Sequence, residues 1–236
     1  MVEVSIIVPA YNQGRTIRRV ISQIRASMLR ITNDYEIIIS EDGSSDNTLE
    51  IISELAAKDR RIRVLHTKHR LGKGRALNLG FESAVGKYLV FIDADYLGVP
   101  KFLSNMIANL KNNAVVIGSR YLAGTKVKRL PLRFVLSKGY IFLANLIFGL
   151  NLSDVHCGFK GVNRKVKPLL RKIKTTGYFW DTEFLVRVKS AGLTIKEIPI
   201  AWSEKLDSSA LNPFATSLGF FRSLVELKLE QIKCKS

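Results

Sequence analysis

The stretch LVFIDADYLG, residues 89–98, drives an apolar run into two aspartates, Asp93 and Asp95, with Ala94 between them. Along an extended strand, residues i and i+2 point to the same side, so carboxylates at this spacing converge. Buried charge is costly unless it is paired or holds a metal. The stretch is therefore either an acidic turn or a site for a hard cation such as Mg2+ or Mn2+. Mg2+ takes only one or two protein carboxylates and completes its shell with water and substrate phosphates, so D-A-D points to a metal–diphosphate site. SEDGSSDNT, residues 40–48, is a second acidic strand end. Asp42 precedes a glycine, where the backbone turns sharply, and a carboxylate there accepts from a nucleobase N–H or ribose hydroxyls. In the plainer reading Glu41, Asp42 and Gly43 form a turn, and Ser44 to Asp46 cap the next helix. LGKGRALNLG, residues 71–80, lacks the spacing of a P-loop. Gly72 and Gly74 around Lys73 still permit close backbone approach, and the helix N-terminus that follows favours anions.

These residues need elements to position them. VSIIVP (4–9), EIIIS (36–40), IRVLHT (62–67), YLVFID (88–93) and AVVIGS (114–119) are short β-rich runs. Runs apolar on both faces suit a parallel sheet covered by helices. Helices are expected between them at roughly 15–30, 47–59, 74–85 and 99–111. The alternation predicts an α/β, doubly wound, mostly parallel sheet. Ligands in such sheets sit at the carboxyl ends of strands. PAYNQG, SEDGSSD, KHRLGKGR, DADYLG and GSRY follow the five strands in turn, so all the unusual polar chemistry collects at one sheet edge.

The second half reads as an apolar helix over 131–150 behind a basic entry, then a glycine-containing loop or hairpin over 154–164. A short helix near 165–173, the loop TTGYFW, a helix over 181–191, a strand over 195–202 and a last helix over 214–233 complete it. No internal repeat appears. The simplest organisation is one domain over 1–210 with a C-terminal helical extension over 211–236.

Of the 236 residues, 47% are apolar, enough for a sizeable core. Two cysteines without a C-x-x-C exclude a disulfide scaffold and fit a reducing compartment, and three histidines are poor material for a zinc site. The net charge of +17 is lopsided: residues 1–110 hold 15 Lys/Arg against 12 Asp/Glu, and 111–236 hold 22 against 8. No acid occurs from Tyr96 to Ser153. That half should meet something anionic, whether nucleic acid, a phosphorylated substrate or a membrane surface. No N-terminal signal is visible. The longest apolar stretch, 139–152, is shorter than the roughly 20 residues of a membrane span, so no transmembrane helix is expected.

Taken in order, SIIVPAYNQG, EDGSSDNT, RLGKGRALNLG, FIDAD and GSRY resemble the family 2 glycosyltransferases, whose nucleotide-sugar-binding fold is termed GT-A. The continuation through RFVLSKGY, DVHCGFKGVNR, GYFWDTEFL and IPIAWSE resembles their polyprenyl-phosphate branch, the dolichyl-phosphate mannose and glucose synthases. The resemblance covers about residues 3–210. It implies a nucleotide pocket at Pro9, Tyr11 and Asn12, with Asp42 reading the base. It implies a metal and sugar diphosphate held by Asp93 and Asp95, with Ala94 and Lys73 beside them. Arg120, and Arg133 with Ser137, match positions that handle donor and acceptor phosphates. Lys205 and Ser209 lie in the loop that closes over the site. Asp181 occupies the place where relatives using hydroxyl acceptors have a catalytic base; alternatively it is a buried carboxylate orienting an arginine or capping its helix. The chain departs from the family at Gln13, where Glu is common, at Tyr96–Leu97 after the D-A-D, and in the closing loop DSSALNP.

Chemistry supports a phosphate acceptor independently. A sugar hydroxyl needs a general base to attack an anomeric carbon, whereas a phosphate monoester, with a second pKa of about 6, is already an anion at neutral pH. Lys126, Lys128, Arg129 and Lys138, with Arg120 and Arg133, suit the positioning of that anion. The expected reaction is inverting, metal-dependent hexosyl transfer from a UDP- or GDP-hexose to polyprenyl phosphate, with Asp95, Arg120 and Asp181 as catalytic candidates. The motifs DVHCGFK and IPIAWSE lean towards UDP-glucose. A polyprenyl tail needs a membrane, so residues 139–150 and the last helix are expected at the interface, on the cytoplasmic face. The alternative for these helices is core packing plus contact in a homo-oligomer. Two rivals remain: transfer to a sugar hydroxyl, with Asp181 as base, and a nucleic-acid-binding module. The second is disfavoured because the basic half carries no recognisable nucleic-acid motif.

Overall fold

A computed structural model of the chain describes residues 2–96, 99–122, 125, 127–128, 130–203 and 213–233. In chain order its elements are β1 (Val4–Ala10), α1 (Ile17–Met28), β2 (Tyr35–Glu41), α2 (Thr48–Lys58), β3 (Ile62–His66), α3 (Lys73–Ser83), β4 (Tyr88–Ile92), α4 (Leu103–Leu110), β5 (Val115–Ser119) and β6 (Val127–Lys128). They continue with α5 (Pro131–Phe148), β7 (Phe159–Asn163), α6 (Lys167–Leu170), α7 (Trp180–Ser190), β8 (Ile195–Pro199), β9 (Trp202–Ser203) and α8 (Pro213–Lys233). Seven strands form one sheet in the order β3-β2-β1-β4-β7-β5-β8, and β6 pairs with β9 apart from it.

Side chains alternate across this sheet as the two-residue period requires. Ile6, Val8, Ile37, Ile39, Val90 and Ile92 enter one core with residues of α1, α2 and α4. Ile7, Ile38, Leu89 and Phe91 enter the other with residues of α3, α5, α6, α7 and α8. The central strand β4 is apolar and buried at every position because both faces of the sheet are covered there. Trp180, stacked on Phe81 and Phe184 and edge-on to Phe91, ties α7 to the second face.

Two expectations are corrected. Residues 159–163 are neither loop nor hairpin. They form β7, which enters the middle of the sheet antiparallel to both β4 and β5. The lysine of FKGVN masks this strand in the sequence; Lys160 is 1% exposed and is tolerated there because an acid from another element reaches it. The absence of a membrane-length helix is the second. Residues 139–148 of the apolar run lie in a helix that begins at Pro131, and α5, with 18 residues and a mean hydropathy of 1.3, is long and apolar enough to cross a membrane by length and composition. Arg133 and Lys138 precede the apolar run, and the helix runs through both. Only 11% of α5 is buried: Ile141 and Ala144 face the core, while Val135, Phe142 and Leu146 are exposed. The last helix also divides its faces, with Leu224 and Leu227 in the second core and Phe221, Val225, Leu229 and Ile232 exposed.

Candidate active site

The carboxyl ends of β1, β2 and β4 and the start of α3 surround a cleft of about 220 Å3. It is lined by Pro9, Ala10, Tyr11, Gln13, Asp42, Arg70, Lys73, Ala76, Asp93, Ala94, Asp95 and Tyr178. The fold thus brings together eight residues singled out in the sequence: Pro9, Tyr11, Gln13, Asp42, Lys73, Asp93, Ala94 and Asp95.

Asp93 and Asp95 stand on a turn that closes with the Tyr96 amide donating to the Asp93 carbonyl (3.0 Å). The segment entering β7 grips this turn: the Asp93 amide donates to the Gly158 carbonyl (2.9 Å), and the Tyr96 hydroxyl lies 3.8 Å from Cys157 Sγ. A Cβ at Gly158 would lie 1.8 Å from Asp93 Oδ2, so only glycine leaves the carboxylate its place. The departure at Tyr96 therefore has a structural role, with its ring buried beneath the turn. Partial burial pushes the Asp93 carboxyl up to about 6; Lys73 pulls the other way, and Asp95 and Asp181 add to the rise. Two carboxylates on one turn, beside a cradle cut to fit one of them, match the few protein ligands that Mg2+ or Mn2+ takes alongside a diphosphate. Among the described residues no group of three or more His, Cys, Asp or Glu converges as a self-sufficient metal cage.

A chain of alternating charges runs from the sheet into the cleft. Lys160 Nζ donates to the Cys157 carbonyl and to Asp181 Oδ1 (2.6 Å). Asp181 Oδ2 lies 3.4 Å from Lys73 Nζ, which reaches Asp93 at 2.9 Å. Burial works against ionisation of Asp181, but Lys160 and Lys73 outweigh it and hold its pKa below the ordinary carboxylate value. Burial likewise opposes the charge on Lys73, and Asp181 and Asp93 overcome it and raise its pKa. Asp181 is a locked counter-ion behind the cleft, absent from the lining, and its partners are lysines rather than an arginine.

The glycine-flanked loop works differently from the phosphate cradle expected of it. The amides of Leu71 and Gly72 donate to the two oxygens of Asp42 (2.7 and 2.9 Å), and those of Gly74 and Arg75 donate to the Thr176 carbonyl. The Gly72, Gly74 and Arg75 amides at the N-terminus of α3 are thus taken by the protein's own oxygens. Gly72 and Gly74 are needed for close packing on the 175–176 backbone, where added Cβ atoms would approach Thr176 O and Thr175 O to 2.4 and 2.3 Å. Asp42, though on the cleft wall, spends one lone pair of each oxygen on positioning Lys73.

Other candidates sit away from the lining. Asn12, at φ 52°, accepts from the Ser45 amide and fastens β1 to the loop before α2. Arg120 is buried and pairs in bidentate fashion with Asp154 through Nε (2.7 Å) and an Nη (2.9 Å). Arg133 and Ser137 lie on α5, where Ser137 Oγ is 3.2 Å from the Tyr121 hydroxyl. Lys205 and Ser209 lie outside the described residues, as do the side chains of Lys126, Lys128 and Arg129. His156 is stacked on Tyr140 and Phe220. Burial lowers the His156 pKa to about 4 and pushes the Cys157 thiol up to about 12, so both are packing groups. Sequence reasoning passed over two residues of the cleft lining, Arg70, whose guanidinium lies 4.0 Å from the Tyr11 ring centroid, and Tyr178. Both stand inside quoted motifs, KHRLGKGR and TTGYFW, which was the available signal. It also missed Lys160 and Asp154, whose importance rests on partners distant in sequence.

Comparison with known proteins agrees with this geometry. The family model described as Glycosyl transferase family 2 matches residues 5–168. Glycosyltransferase AglD of Haloferax volcanii is 38% identical over 88% of this chain, which spans only 34% of AglD's length. A dolichyl-phosphate beta-glucosyltransferase of Saccharomyces cerevisiae is 31% identical over 95% of the chain and 74% of its own length. Among solved structures, glucosyl-3-phosphoglycerate synthase from Mycobacterium tuberculosis, in complex with Mn2+, UDP and phosphoglyceric acid, superposes with a TM-score of 0.69. It shares 21% identity, over 96% of this chain and 78% of that one. The mixed seven-stranded sheet flanked by helices is a GT-A-like fold, and the chain belongs to glycosyl transferase family 2.

Proposed function

We propose that this protein transfers a hexose, with inversion, from a nucleoside diphosphate sugar to a polyprenyl phosphate of the dolichyl type, with UDP-glucose as donor. The observation that carries the reading is the cleft, in which Asp93 and Asp95 face Lys73, Asp42 and the Tyr11–Arg70 pair. The dolichyl-phosphate beta-glucosyltransferases among the relatives support the acceptor and favour glucose. A Mg2+ or Mn2+ ion held by Asp93 and Asp95 would stabilise the negative charge on the departing diphosphate; the Mn2+ and UDP of the mycobacterial neighbour support this choice. Tyr11 and Arg70 offer a flat apolar face and a cation to the nucleoside. Lys73 offers its ammonium to the diphosphate.

The position of Asp181 favours phosphate over hydroxyl as the nucleophile. A general base must reach the proton it removes, and the two Asp181 oxygens are engaged by lysines, the buried Lys160 and the cleft-lining Lys73. A phosphate oxygen needs no such base. We further place the exposed apolar faces of α5 and α8 against the cytoplasmic membrane surface, where the acceptor's lipid tail resides.

The test is transfer of labelled sugar from UDP-glucose and GDP-mannose to polyprenyl phosphate, with Mg2+ or Mn2+, with EDTA, and with Asp95→Ala. Lipid product from UDP-glucose, lost with EDTA and in the variant, is the expected result. Product from GDP-mannose alone would overturn the donor. Metal-dependent nucleotide binding with no lipid product from either donor would overturn the acceptor.

A further inference from the structure

Lys73 occupies an unusual position for a donor-binding lysine. Its Nζ lies 2.9 Å from one Asp93 oxygen and 3.0 Å from the other, where a hard cation would sit. The Asp93 carboxylate already fills the space that the missing side chain of Gly158 leaves. A cation that uses Asp93 must therefore contend with the ammonium already there. We propose that Lys73 is an exchangeable counter-ion: it neutralises Asp93 while the cleft is empty, withdraws towards Asp181 when a divalent ion takes Asp93, and presents its charge to the incoming diphosphate.

Three features support the exchange. The backbone at Lys73 is pinned, since its neighbours Gly72 and Gly74 donate to Asp42 and Thr176, so only the flexible four-carbon stem needs to move. Asp181 Oδ2, 3.4 Å away, is a second anion already in place. Lys160 fixes Asp181 from behind at 2.6 Å, so the fallback partner does not follow the ammonium out. Withdrawal leaves Lys73 with one carboxylate instead of two, and a diphosphate in the cleft replaces the lost one. Metal and nucleotide should therefore bind with positive coupling, beyond the coupling from direct phosphate–metal contact. That coupling is reciprocal.

The inference rests on Asp93 being a metal ligand, and the experiment separates the two. Mn2+ binding is measured by the loss of the free-ion electron paramagnetic resonance signal, without nucleotide and with saturating UDP, in the wild type, Asp93→Asn and Lys73→Gln. Asp93→Asn should abolish binding under both conditions; unchanged binding would overturn the metal reading itself. Lys73→Gln should bind Mn2+ alone about tenfold more tightly, because a competing charge a few ångströms away is gone. It should also show a smaller gain on adding UDP. With Asp93→Asn behaving as expected, a Lys73→Gln affinity equal to or weaker than the wild type would overturn the exchange alone. A second measurement uses the wild-type chain. The 15N ammonium resonance of Lys73, assigned by its loss in Lys73→Arg, should shift or broaden on adding Mg2+. A resonance unmoved at saturating Mg2+ would overturn the exchange even if Lys73→Gln fails to fold.

Discussion

Single atoms decide much at this site. Gly158 leaves space for the Asp93 carboxylate that a methyl group would fill. Gly158→Ala should therefore keep the fold, judged by circular dichroism, and weaken Mn2+-dependent UDP binding by about tenfold or more, through displacement of one carboxylate. Binding equal to wild type would show that Asp93 can relocate without loss. His156 offers a test with a defined sign. Its folded pKa, about 4, lies below its ordinary value of 6.5. The unfolded chain thus binds the extra proton first, and stability present above pH 6.5 is lost as pH falls towards 4. In urea titrations, His156→Phe, which keeps the stacking with Tyr140 and Phe220, should lose about 2 kcal/mol less than wild type between pH 7 and pH 4.5. Equal losses would exclude His156 as the source.

At the scale of elements, the insertion of β7 is the decisive event. It brings Gly158, at its entry, against the Asp93–Asp95 turn and sets Lys160 behind Asp181, and it pairs with both β4 and β5. A buried lysine inside a central strand is tolerable only with its acid in place. Lys160→Met should cost about 3–5 kcal/mol in chemical denaturation, because it strips a buried carboxylate of its closest partner. Adding Asp181→Leu should restore a large part of that loss. Additive losses in the double-mutant cycle would show that the two side chains do not act as a pair. The strand also accounts for Arg120. Asp154, just before β7, holds the guanidinium of this residue, which the sequence offered to the phosphates, in a bidentate pair.

On the whole-molecule scale, charge and apolar exposure fall on the same half of the chain. The excess of 22 Lys/Arg over 8 Asp/Glu after residue 110 accompanies two helices with exposed apolar faces. If both features serve one membrane surface, the protein should sediment with vesicles containing anionic lipid, and less with purely zwitterionic ones. Raising salt should weaken the first by screening. Replacing Phe142 and Leu146 by Gln should reduce binding by about tenfold or more, while changing stability by no more than about 0.5 kcal/mol, since both side chains are largely exposed. Vesicle binding unaffected by either change would remove α5 from the contact.

The chain order of the motifs by itself determined the alternating elements, the edge of the sheet where chemistry collects, and the D-A-D turn. Local periodicity and turn chemistry suffice for these, because each is written within a few neighbouring residues. The tertiary structure alone decided which polar groups face the cleft. Asn12 and Arg120 are drawn off by Ser45 and Asp154, and the α3 N-terminus by Thr176. Arg70 and Tyr178 are brought in. Lys160 is turned from an apparent loop residue into the anchor of Asp181. Each of these outcomes depends on a pairing between residues remote in sequence. A buried charge takes whichever partner the fold delivers to it, and one chain read locally does not show which partner will arrive.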